Sequence, residues 1–134
     1  MKLAADIRAY LDAPRSADLG TINPDGSPQL SIIWYERRDD EVVINTTAQR
    51  IKARNMDRDP RVSLLIGDPD TYVRIDGDAR VVSTGAQAVA DIRLMAVRYA
   101  GEEHAEKQTR DTWSKQDRVT YAIAVRRVYR YGFD

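Results

Sequence analysis

An antiparallel β-barrel decorated by helices, a mainly β, α+β architecture, is the fold this sequence predicts. Three observations predict it. Extended runs rich in Val, Ile and Tyr recur with tight polar turns between them. Helical stripes are confined to the edges of the chain and one crossover, and alternating βα units are absent, which argues against a doubly wound sheet.

Leu3, Ile7, Tyr10 and Leu11 recur at helical spacing and stop before Pro14, predicting a short amphipathic N-terminal helix. In "LGTINPDGSPQLSIIWYERRDDEVVINTT", the stretch "NPDG" has Pro second and Gly fourth, a type I turn signal. "RRDDE" is a second polar turn, so a meander of three strands is expected. Thr46 with Gln49 reads as a capping box that starts a helix at about Thr46. "RVSLLI" and "TYVRIDGDARVVS" flank the turn "GDPD", with Gly77 predicting a bulge. Val89, Ile92, Met95, Ala96 and Tyr99 form a helical stripe ended by Gly101. "EEHAEKQTRDTWSKQ" reads as polar and partly helical, and "RVTYAIAVRRVYRYGF" as the last of about six strands.

The 134 residues suit one domain, 1–134, large enough to bury a core, and no internal repeat or linker interrupts it. No apolar run reaches membrane-spanning length and the first ten residues lack a signal-peptide core, so a cytoplasmic location is expected. The absence of cysteine removes disulfides, thiolate metal sites and cysteine nucleophiles, and a single histidine, His104, cannot build a multi-histidine metal centre. Twenty-one basic residues balance twenty-one acidic ones, so no general field draws nucleic acid or anionic lipid, and any anion site must be local. No dinucleotide or P-loop pattern is present and nothing selects a catalytic pair, so catalytic residues are unassigned; an enzyme of this kind would rely on a cofactor.

One stretch conflicts with simple helix electrostatics. In "TTAQRIKARNMDRDPRV", Arg50, Lys52 and Arg54 fall near a helix start, where the macrodipole repels cations and attracts anions. Either these side chains extend into water or an anion sits among them, and the residues alone leave both open.

The order of motifs resembles a known family. "GSPQLSIIWY", then a strand entering "NTTAQRIKARNMDRDPRVSLLI", then "YVRIDGDARVV" and a terminal "YAIAVRRVYRYGF" resemble the flavin-binding split-barrel proteins related to pyridoxamine 5′-phosphate oxidase. Within them the chain is most similar to the branch using the deazaflavin coenzyme F-420, from about Ala17 onward. The resemblance implies a six-stranded antiparallel split barrel of the FMN-binding type, assembled as a homodimer with cofactor sites along the interface. It implies that Arg50 and Lys52 grip the cofactor phosphate, with Asn45, Thr46 and Thr47 supplying strand-end and helix-start groups. Arg54 would flank that site, while Arg58 and Arg61 are expected to pair with Asp57 and Asp59.

The cofactor ring is expected on "PQLSII", with Gln29 and Ser31 as polar contacts and backbone near Ile33 completing them, while Leu30, Ile32 and Trp34 on the opposite face are expected in the core. Tyr72 and Trp113 are the aromatic walls the resemblance implies from the second subunit, and water and Tyr72 are the candidates for proton donor. The chain stops at "YRYGFD" without the arginine and histidine that hold the substrate in true pyridoxamine phosphate oxidases, so vitamin conversion is not expected.

The function expected is hydride transfer between F-420 and a small conjugated organic substrate. FMN, in a flavin reductase or oxidase of the same fold, is the alternative cofactor, because both carry a phosphate on the ribityl chain. A module that stores or senses a flavin or haem without turnover is the alternative from another class. An RNA-binding barrel fits poorly, because no basic strand face bears interleaved aromatics.

Overall fold

A computed structural model describes residues 1–133 of the chain. Its seven strands are β1 (Ala17–Ile22), β2 (Pro28–Ile33), β3 (Glu36–Arg38), β4 (Glu41–Thr47), β5 (Arg61–Gly67), β6 (Tyr72–Thr84) and β7 (Arg118–Tyr131). They form one antiparallel sheet in the order β2-β1-β5-β6-β7-β4-β3. The helices are α1 (Ala5–Asp12), α2 (Ile51–Arg58), α3 (Gly85–Ala100) and α4 (Glu102–Asp111), followed by a 3₁₀ turn at Trp113–Lys115.

The two edges of the sheet, β2 and β3, are consecutive in sequence with only Trp34 and Tyr35 between them. Three Cα steps bring Ile33 and Glu36 within roughly 11 Å, so the sheet must curl round on itself. Those edges share no ladder, and the barrel is split there. This corrects the expected meander: β1 and β2 form one hairpin, β3 and β4 another, and the two stand at opposite edges. Turn chemistry specifies a reversal but not the strand that follows it. The short β3 also brings the count to seven rather than about six.

Several local readings hold. The Gly26 N–H donates to the Asn23 carbonyl at 2.9 Å, closing the "NPDG" turn. Gly101, at φ 88°, ends α3. The β6–β7 register slips between Asp76 and Gly77, and a Cβ on Gly77 would lie 2.4 Å from the Ala124 carbonyl oxygen, so close approach of the two backbones excludes a side chain there.

The barrel interior is filled by Leu19, Val42, Ile44, Leu64, Ile66, Val73, Ile75, Tyr121 and Ile123, each at most 2% exposed, and α1 contributes Ile7 and Leu11. Tyr35 is fully buried; its hydroxyl donates to the carbonyls of Leu11 (3.0 Å) and Ala13 (3.2 Å), and burial pushes its pKa up to about 12. The first half of β7 is buried on both faces because α3 packs against it, so its alternation of large and small residues does not separate core from solvent.

Two expectations invert. Thr46 is not a helix cap: β4 stays paired with β7 as far as Thr47, and α2 begins at Ile51 with Arg50 as its N-cap residue. The ladder outcompetes the local cap, and Gln49 Nε2 turns instead to the Asp117 carboxylate at 3.3 Å. Along β2, Leu30 and Ile32 are 70% and 74% exposed, whereas Ile33 is buried and Gln29 and Ser31 are half-buried. The face assigned to the core is the outer one, and Trp34, beyond the strand, is half-buried.

Candidate functional site

Where β2, the end of β4, the start of α2 and the start of β7 meet, two adjoining clefts share Arg50 and Lys52. One, of about 180 Å³, is lined by Gln29, Ser31, Arg50, Ile51 and Lys52. The other, of about 220 Å³, lies among Ile33, Trp34, Asn45, Thr46, Trp113 and Arg118. Lys52 bridges the helix to β2, its Nζ donating to Ser31 Oγ at 3.4 Å.

The electrostatics of this corner are one-sided. Burial and then the charges of Arg50 and Arg118 hold the Lys52 pKa below its ordinary value, and burial and then Arg50 bring Arg118 down to about 10. Among the described residues no carboxylate pairs with any of the three. The N-cap Arg50 makes no side-chain cap, so the first N–H groups of α2 also lack partners from within the helix. Cations beside free helix N–H groups form an anion site, since charge-assisted bonds to phosphate or carboxylate oxygens satisfy both.

α2 is held at both flanks. Asn55, 2% exposed, donates to Thr21 Oγ1 and Asn23 Oδ1, each at 3.0 Å. On the other flank the Tyr121 hydroxyl donates to Asp57 Oδ1 at 2.7 Å, and burial pushes its pKa up. Asp57 therefore serves Tyr121 rather than Arg58, which turns to the Ile22 carbonyl and Asn55 Oδ1. Arg61 pairs with Asp59 as expected.

The apolar wall is aromatic. Trp34 stacks on Tyr99 with ring centroids 5.1 Å apart, and Trp113 meets Trp34 edge-on at 6.4 Å. Buried Ile92 and Met95 of α3 complete that side.

The structure thus brings together Gln29, Ser31, Ile33, Asn45, Thr46, Arg50, Lys52 and Trp113. Thr47 contributes backbone, its carbonyl accepting from the Arg50 N–H at 3.2 Å. Trp113, expected from the second subunit, lines the cleft of its own chain, because the 3₁₀ turn after α4 folds it back onto Trp34. Tyr72 lies elsewhere, paired with Gly67 and stacked on Tyr131 at 5.2 Å. Arg37 and Arg38 of the β3–β4 hairpin are engaged by Asp12 and by Glu36 and Asp91, whereas Arg54 stands exposed on α2 and lines neither cleft. Sequence reasoning missed Arg118, which read only as the first residue of a strand; its register opposite Thr47 is what delivers it to the cleft.

A sequence profile described as pyridoxamine 5′-phosphate oxidase matches residues 3–131. Among solved structures, a conserved hypothetical protein, Rv2991 from Mycobacterium tuberculosis, is 31% identical with a TM-score of 0.79, over 98% of this chain and 85% of that one. An F420 reductase is 24% identical with a TM-score of 0.73, over 91% and 94% of the two chains. The haem storage protein HutZ from Vibrio cholerae is 15% identical with a TM-score of 0.69, over 96% and 94%. The last two are likenesses of fold.

Proposed function

This chain belongs to the pyridoxamine 5′-phosphate oxidase family, and from that premise we propose that it is an oxidoreductase that binds the deazaflavin coenzyme F-420 and passes hydride between it and a small conjugated organic molecule. The observation that carries the reading is the cluster of Arg50, Lys52 and Arg118 without a carboxylate among the described residues, at the start of α2 and against β2. The similarity of the basic segment and its flanking strands to the deazaflavin branch supports F-420 as the cofactor. FMN is the second reading, because its phosphate would meet the same cations. A haem-storing role is less well supported, since His104, the one histidine, is exposed on α4 away from the cleft residues.

The cofactor supplies the hydride chemistry; the residues of this chain supply place and surroundings. Arg50 and Lys52 would hold the phosphate, and Ser31 and Gln29 would offer polar contacts on β2 to the ring. Ile33, Trp34 and Trp113 exclude water from one flank. Fixing two planar reactants in register is worth roughly 7–11 kcal/mol of barrier, and the one further demand is a proton donor.

The active unit we propose is a homodimer. Ile32, Asp18, Leu65, Arg74 and Tyr129 are successive register partners across β2, β1, β5, β6 and β7, and Ile32, Leu65 and Tyr129 are 74%, 43% and 44% exposed. With Leu30, this is a stripe beside the cleft in which exposed apolar side chains alternate with the charged Asp18 and Arg74, a face that a second copy would cover, and the second copy would bring its own Tyr72 to the ring. Tyr72 and water remain the proposed proton donors. Sedimentation should show a dimer, and Ile32→Asp should dissociate it. Turnover is tested with reduced F-420 and a panel of enones and quinones; reoxidation of F-420 by a panel member supports the enzyme, whereas tight binding without reoxidation by any moves the reading to a carrier.

A further inference from the structure

Arg118 is only 9% exposed, yet what holds it is neutral. Its Nε donates to Asn45 Oδ1 at 3.0 Å and its Nη1 to Gln116 Oε1 at 2.8 Å. A guanidinium has five N–H donors and no acceptor, so these two bonds orient the fork and leave donors free at the cleft it lines. Many other arginines of this chain are paired with acids, as Arg80 is with Glu41 at 2.6 Å and Arg37 with Asp12 at 2.8 Å, and Arg58 and Arg98 turn to carbonyl and amide oxygens outside the cleft.

Asn45 is itself fixed. Its Nδ2 donates to the Ala88 carbonyl and to Thr120 Oγ1, both at 2.9 Å, so its carbonyl oxygen must face Arg118. Thr120 donates in turn to Asp91 at 2.7 Å, and that buried carboxylate is occupied by Ser83, Gln87 and Arg38. The chain of bonds from Asp91 to Arg118 therefore transmits orientation through a hydroxyl and an amide without delivering negative charge.

We propose that Arg118, oriented by Asn45 and Gln116, is a third anion-binding residue of the cleft and makes it select a ligand carrying more than one negative charge there. This rests on the phosphate-binding reading above and adds the charge class of the ligand. The second charge has two chemical sources: the second ionisation of a terminal phosphomonoester, as in FMN, or an acidic tail carboxylate beside a phosphodiester, as in F-420.

Gln116→Glu tests it, because the half-buried side chain can keep its bond to Arg118 while placing a carboxylate on it. Arg118→Gln is the second variant. Dissociation constants are measured by fluorescence quenching for FMN, riboflavin, F-420 and the deazaflavin riboside lacking phosphate and tail, with circular dichroism confirming the fold. Both variants should weaken a charged cofactor at least tenfold and leave its uncharged counterpart unchanged. Loss confined to FMN identifies the phosphomonoester as the source, and loss confined to F-420 the tail. Wild-type affinity for both charged cofactors in folded Gln116→Glu overturns the inference while the cofactor reading stands. If the wild-type protein binds none of the four, the cofactor reading fails. Thermal stabilisation by inorganic pyrophosphate then decides: stabilisation lost in Gln116→Glu supports Arg118, and equal or absent stabilisation overturns it.

Discussion

The basic residues of the outer surface and those of the cleft are the same side chains in opposite electrostatic situations. On the surface Arg37, Arg61, Arg80 and Arg126 each have an acid within 3 Å. In the cleft, Arg50, Lys52 and Arg118 share a corner with no acid partner among the described residues, and burial with mutual repulsion depresses two of the three. A net charge of zero conceals this, because the sum says nothing of where the charges stand. Charge left uncompensated in a partly dry corner is what the proposed anion site rests on.

The largest effect that sharpens this contrast is expected from Arg50→Ala with Lys52→Ala. Each charge-assisted bond is worth about 1.5–3 kcal/mol, so cofactor affinity should fall at least 100-fold by fluorescence titration. The melting temperature of the free protein should hold or rise, because like charges have been separated. Gly77→Ala should leave the cleft's charges intact but break the frame behind them. Backbone of β7 must move to admit the methyl group, and overpacking of this kind costs about 1–3 kcal/mol, read as a lowered urea midpoint. Arg80→Ala, which removes one surface pair with Glu41, should change stability by less than about 1 kcal/mol and cofactor affinity not at all.

The pH dependence separates the regions further. A base whose folded-state pKa is lowered binds fewer protons folded than unfolded, so Lys52 costs the free protein stability that returns as pH rises toward the ordinary lysine value of 10.5. An anion beside it reverses the shift. Binding should therefore take up a proton on the alkaline side, and affinity should fall as pH climbs through that window. Calorimetry in buffers of different ionisation enthalpy measures the uptake, and Lys52→Ala should reduce it, leaving the share of Arg118. The acids of the surface behave oppositely: Arg80 holds Glu41 below its ordinary value, so that pair weakens only in acid.

What could be read from the sequence divides along physical lines. Features set by a few neighbouring residues were legible: the Ile7 and Leu11 stripe of α1, the "NPDG" turn, the Gly77 bulge and the Gly101 stop. So was the oddity of Arg50 and Lys52, since a cation at a helix start needs a reason wherever it occurs. Features set by distant pairing were not. Nothing local tells β3 to leave β2 for the far edge, and the Thr46 cap signal is real chemistry overruled by a ladder with β7. Leu30 and Ile32 misled because apolar residues imply burial, and here they face outward. Arg118 was invisible for the same reason as the β3 edge: its partners Asn45 and Gln116 meet only when β4 and β7 pair.

The most direct measurement is the salt dependence of F-420 binding to the wild-type protein and to the Arg50→Ala, Lys52→Ala variant, followed by cofactor fluorescence. Tight wild-type binding that weakens steeply with salt, and a variant that binds weakly with little salt dependence, is the predicted result. Equal affinity in the two proteins would contradict it and leave the basic start of α2 as a solvated helix end.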